Sequence, residues 1–109
     1  MFITATRLTQ YAVTYGDNIL LKCAVIKTPA LTSVEWYKSV GDVTSIVNIS
    51  ADLSKYKYGT PSQPNLKIHL TDFNDTGVYM CDTNNTNGEH QFESMALKVI
   101  GGMVLPNMY

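Results

Sequence analysis

The sequence predicts an all-β protein made of two antiparallel sheets packed face to face, and three observations carry that reading. Short segments of alternating apolar and polar residues follow one another, separated by Gly, Asn, Asp and Pro turns. No stretch carries a strong helical apolar stripe, so no crossover helices are available to join parallel strands. About seven or eight strands must then fit into a chain of 109 residues. A two-sheet sandwich accommodates them; a small closed barrel is the alternative.

In chain order, residues 18–25 form the first segment, entered through the Gly16-Asp17 turn. Residues 34–38 form the second, bounded by Thr28-Pro29 and by Gly41-Asp42. Residues 46–49 and 55–58 are weaker segments. Residues 65–70 alternate cleanly, with Leu66, Ile68 and Leu70 on one face. Residues 77–82 and 92–99 complete the set. Between them Asn84-Asn85-Thr86-Asn87-Gly88 reads as a hairpin loop, because Asn-Gly tolerates the positive φ such turns need.

Composition narrows the function classes. A hydrophobic fraction of 45% with a net charge of −1 excludes a disordered tail. The 8 Lys+Arg are scattered singly and the sequence pI is about 6.0, which argues against nucleic acid as a partner. No apolar run approaches the roughly 20 residues of a membrane-spanning helix. Residues 1–7 lack the basic start and apolar stretch of a signal peptide, which fits a cytosolic protein or a mature fragment of something larger. One domain is expected over residues 1–100. The apolar residues 101–109 are expected to be a tail or a linker to a further domain.

The most specific signal lies in the cysteines. Cys23 and Cys81 are the only two, and Trp36 stands thirteen residues after the first. Asp75-Thr76-Gly77-Val78-Tyr79-Met80-Cys81 is a D-x-G-x-Y-x-C pattern, with Leu66-Lys67-Ile68 upstream. Over nearly the whole chain this combination resembles the immunoglobulin superfamily, in a short variable-type or intermediate-set form. The resemblance implies that Cys23 on strand B and Cys81 on strand F bridge the sheets beneath Trp36 of strand C. Such a bridge closes a loop of about 59 residues, worth about 4 kcal/mol if it acts by restricting the unfolded chain. It also implies a tyrosine corner at Tyr79, a bend at Gly77, and an ion pair from Asp75 to an Arg at the start of strand D. Here the sequence departs from the family, offering Lys55 and Lys57 and no Arg. Residues 46–49 fit strand C′ and residues 55–58 fit strand D. Phe92 is followed by Glu93-Ser94-Met95 and not by the Phe-Gly-x-Gly of antigen-receptor joining segments, so an antibody or T-cell-receptor variable domain is not expected.

A disulfide implies an extracellular setting, secreted or at the cell surface. Three sequons agree with it, at Asn48, Asn74 and Asn84. Catalysis is not expected. His69 and His90 are the only histidines; His69 is out of phase with Leu66 and Ile68, and both read as solvated. No metal site or cofactor is implied. Asp72 and Asp75 lack the remaining ligands of a calcium loop, and Gly101-Gly102 is followed by neither a helix nor a lysine that would make a phosphate cradle.

With Cys23, Trp36 and Cys81 pointing inward, alternation sends Ile19, Leu21, Val34, Leu66, Ile68, Leu70, Tyr79, Met95, Leu97 and Val99 to the core. Glu35, Tyr37, Val78, Met80, Asp82 and Phe92 then face outward from the G-F-C-C′ sheet. Tyr37, Val78, Met80 and Phe92 form a candidate interface, although single apolar residues at a surface are ordinary. The loop ends, residues 26–32 and 82–90, are a second candidate site. The expected function is non-enzymatic recognition of a protein or glycan partner in adhesion or immune-type recognition, self-association through the G-F-C-C′ sheet included. A structural spacer in a multidomain adhesion or matrix protein is the alternative.

Overall fold

A computed structural model describes residues 8–26 and 28–101. All but Gly101 of the expected tail, and the first seven residues of the expected domain, lie outside the described residues. Among the described residues there are eight strands: β1 (Thr9–Thr14), β2 (Ile19–Leu21), β3 (Leu31–Val40), β4 (Val43–Ile46), β5 (Tyr56–Thr60), β6 (Gln63–Ile68), β7 (Gly77–Asn85) and β8 (His90–Ile100). They form a five-stranded sheet in the order β1-β8-β7-β3-β4 and a three-stranded sheet in the order β2-β6-β5. The two-sheet sandwich is therefore the architecture, not the closed barrel. Every strand pair is antiparallel except β1 with β8.

Turn chemistry sets the two hairpins of the larger sheet. Gly41 takes φ +59° between Val40 and Val43, so β3 reverses into β4 through two residues. At the β7–β8 turn Asn85 Oδ1 accepts from the amides of Asn87 and Glu89, and Gly88 takes φ +77°. Because the chain turns back so early, β4 occupies Val43–Ile46 and not the expected residues 46–49. Residues 49–51 form a 3-10 turn instead. Val47 is already buried, its amide bonded to the Trp36 carbonyl. The strand after β4 belongs to the other sheet, so among the described residues no further strand flanks β4.

Two other expectations need correction. Regular pairing of β2 stops at Leu21, short of residue 25, because side chains take over its amides. Asn65 Oδ1, Glu93 Oε1 and Gln91 Oε1 accept from Cys23, Ala24 and Ile26. Leu70 is not a core residue. Alternation ends with β6 at Ile68, and Leu70 takes φ +50° with 69% of its surface exposed. β1 was not expected at all, yet Tyr11 and Val13 alternate inward beside Leu97 and Val99.

The core lies between the sheets. Trp36, Tyr79, Leu21, Leu66, Ile68, Met95 and Leu97 are buried around the Cys23–Cys81 bridge, whose Cα atoms are 5.9 Å apart. The Trp36 indole N–H donates to the Pro64 carbonyl at 2.8 Å, so the ring is fixed by a bond as well as by packing. Gly59, at φ +74°, lets β5 pass over that ring. A Cβ there would collide with Ile49 and stand 3.2 Å from Trp36 Cδ1.

Candidate functional site

The corner between β6 and β7 fixes how the larger sheet is presented. Residues Phe73–Asp75 form a 3-10 turn capped at Asp72, whose side chain accepts from the Asn74 amide. Asp75 Oδ2 accepts in return from the Asp72 amide at 2.8 Å and from Lys55 Nζ at 2.6 Å. The ion pair is thus made although no arginine stands at the start of β5: Lys55 supplies the cation, and Lys57 stays exposed. The Asp75 carbonyl accepts the Tyr79 hydroxyl at 2.6 Å, which is the tyrosine corner. Gly77 opens β7 just after this turn and also meets a steric demand. A Cβ there would stand 3.0 Å from the Ser39 carbonyl and 3.2 Å from Val40 Cγ2, so glycine permits β7 to close on β3.

Register places the outward residues of the larger sheet in rows. Ile46, Tyr37, Met80 and Ser94 lie side by side across β4, β3, β7 and β8. Thr44, Ser39, Val78 and Ala96 make the next row, and Glu35, Asp82 and Phe92 a third. Tyr37, Val78, Met80 and Phe92 therefore share one face. The first three are half-buried by their neighbours, and Phe92 is 62% exposed. Ile46, 52% exposed, extends this face to the sheet edge. It escapes the sequence reading because that reading shifts its strand. The signal was the two-residue Gly41-Asp42 turn, which fixes the phase of Val43-Thr44-Ser45-Ile46.

His90 Nε2 contacts Asp82 Oδ1 at the end of this face, beside Phe92. His69 is less solvated than expected: it is half-buried and its Nε2 is enclosed without a hydrogen-bond partner. Asn48, Asn74 and Asn84 are all exposed, and the Asn84 side-chain amide donates to Ser33 Oγ at 3.1 Å. The loop ends border a shallow hollow of about 540 Å3 lined by Ile26, Thr28, Asn85, Glu89, His90 and Gln91. A second hollow of about 550 Å3 opens between β4 and β5, with Ile46, Leu53, Lys57 and Tyr58 among its lining residues.

Comparison with known proteins decides the family. The sequence profile described as Immunoglobulin domain matches residues 2–85. The chain belongs to the immunoglobulin superfamily. Within this immunoglobulin domain β1 is strand A′, β2 B, β3 C, β4 C′, β5 D, β6 E, β7 F and β8 G. Basigin of Cricetulus griseus is 31% identical over 86 residues, covering 77% of this chain and 34% of that protein. The chain thus spans about a third of its curated relative. Among solved structures, the N-terminal four Ig domains of Dscam1 isoform 6.9 superpose with a TM-score of 0.69 at 22% identity. That match covers 84% of this chain and 22% of the other. The extracellular domain of the voltage-gated sodium channel beta4 subunit superposes with a TM-score of 0.68 at 16% identity, covering 94% of this chain and 99% of the other.

Two predictions follow from the corner. Removing Lys55 leaves the buried Asp75 carboxylate without its cation, so Lys55→Met is expected to cost about 3 kcal/mol in urea unfolding. Lys55→Arg is expected to recover most of that loss; equal losses in both variants would contradict the pairing. The second concerns alkaline pH. Burial first, then the Asp75 charge, raises the Tyr79 hydroxyl far above its ordinary 10.0. Above that pH the unfolded state holds fewer protons than the folded one, so stability falls as pH rises, by up to about 1.4 kcal/mol per pH unit. Tyr56, raised by burial, steepens the fall, and Lys38, lowered by burial, opposes it. Tyr79→Phe is expected to cost about 1 kcal/mol near neutrality and to flatten the limb above pH 10. Parallel alkaline limbs for the variant and the parent would contradict this.

Proposed function

We propose that this domain is a non-catalytic recognition module of a secreted or cell-surface protein, and that it binds a protein partner on the outer A′-G-F-C-C′ face. One observation carries the reading: Tyr37, Val78, Met80, Phe92 and Ile46 are brought together on a face that the core does not use. Aromatic and Met side chains of this kind are enriched where proteins associate, and a contiguous apolar face is otherwise a solubility liability. The disulfide supports an extracellular setting. The beta4 subunit structure, described as a parallel homodimer that explains a role in cell-cell adhesion, supports protein partners for a domain of this shape.

The test is binding of the tetramerised domain to an array of purified extracellular proteins, with Met80→Arg and Lys67→Glu beside the parent. Met80 sits mid-face, and Lys67 lies on β6 of the other sheet. The expected result is a partner whose binding falls at least tenfold in Met80→Arg and is unchanged in Lys67→Glu, at matched melting temperatures. Binding that survives Met80→Arg would move recognition to the loop ends. No binding at all would favour the spacer role.

A further inference from the structure

The four strand edges of the sandwich are not treated alike. On β5, Lys57 and a register shift between Tyr58 and Thr60 interrupt the edge, and Tyr58 itself is at φ +73°. On the opposite side, β1 of one sheet and β2 of the other lie close enough for the Tyr11 hydroxyl to accept from the Lys22 amide at 3.1 Å. β4 has none of these protections. Val43, Thr44, Ser45 and Ile46 are all exposed and uncharged, with no proline and no bulge, and three of them are β-branched. Natural proteins blunt such an edge unless it is used.

Hydrogen-bond parity says which groups it offers. The Val47 amide bonds to the Trp36 carbonyl, so Lys38 with Ser45 and Val40 with Val43 are the other hydrogen-bonded pairs of this ladder. The N–H and C=O groups of Thr44 and Ile46 therefore point away from β3. Among the described residues, β4 pairs with no strand but β3. These groups are placed symmetrically about Ser45.

We propose that β4 pairs antiparallel with β4 of a second copy of this chain, about a two-fold axis at Ser45. Thr44 then exchanges both backbone bonds with Ile46 of the other copy and Ile46 with Thr44, which uses all four free groups on each copy. Ser45 meets Ser45 in the wide pair between them, at about 4.5 Å between Cα atoms. A copy fits this edge for two reasons. The strand is uncharged, so two copies meet without like-charge repulsion. The pairing also sets Thr44 beside Ile46 of the other copy on the outer face, a β-branched pair made twice. The result is one ten-stranded sheet, closed by its symmetry and leaving no second β4 edge to propagate. Of the face proposed above this pairing engages only Ile46, and it leaves Met80 and Phe92 uncovered.

The test combines sedimentation equilibrium with disulfide trapping, on the full chain prepared without N-glycans so that no sugar on Asn48 stands beside the edge. Thr44→Pro removes an outward N–H that β3 does not use. The parent is expected to dimerise between about micromolar and about millimolar concentration. Thr44→Pro should weaken that dimer at least tenfold, and Met80→Arg should leave it unchanged. Ser45→Cys should give a covalent dimer in a glutathione buffer, since the pair spacing suits a disulfide, and Lys98→Cys on β8 should not. A monomer up to millimolar overturns the proposal. So does dimerisation that Thr44→Pro leaves intact or Met80→Arg abolishes, or equal trapping at positions 45 and 98. Loss of array binding in Met80→Arg with the dimer intact would separate the face from the edge.

Discussion

Everything else in the structure depends on the covalent tie between Cys23 and Cys81 and the indole that covers it. Two sheets of five and three strands have no hydrogen bonds between them along the ladder, so their separation and angle rest on packing and on this tie. Trp36 fills the space beside the sulfurs, and its N–H is committed to the carbonyl of Pro64, inside β6. That bond links the larger sheet to the smaller at the core, as the Lys22 amide to the Tyr11 hydroxyl does at the sandwich edge. With the inward direction fixed at Cys23, Trp36 and Cys81, strand alternation assigns a side to the residues along each paired strand.

That is why so much of the fold was legible. The Cys, Trp and D-x-G-x-Y-x-C residues define phase, and phase sorts Leu21, Leu66, Ile68, Met95 and Leu97 inward and Tyr37, Val78, Met80 and Phe92 outward. What failed to show are places where a side chain or a turn overrides alternation. Leu70 lies beyond the last β6 pair, in a left-handed conformation that local pattern cannot announce for leucine. Residues 22–26 lie outside any strand, and the amides of Cys23, Ala24 and Ile26 are bonded to Asn65, Glu93 and Gln91, partners remote in sequence. Lys55 stands in for an arginine because a single short contact to Asp75 is enough, and the family pattern hides that equivalence. The expected residues 46–49 stand three residues beyond β4, and that shift hides Ile46 as an outward residue together with the unprotected edge.

The corner and the outer face divide the work of the larger sheet. Asp72, Asp75, Lys55 and Tyr79 lock the entry to β7 through bonds whose donors and acceptors are largely enclosed. Variation at the outward positions of β7 therefore acts on a strand whose inward positions and entry are already held. Such a scaffold can present different surfaces without refolding, which is how one fold serves many recognition roles.

The central claim is that folding and recognition occupy alternate residues of the same strands. An arginine scan along β7 from Val78 to Thr83, read as folded protein displayed on cells, tests it most directly. The account predicts a period of two, with display lost at Tyr79, Cys81 and Thr83 and retained at Val78, Met80 and Asp82. Display that falls at the outward positions as steeply as at the inward ones would contradict it.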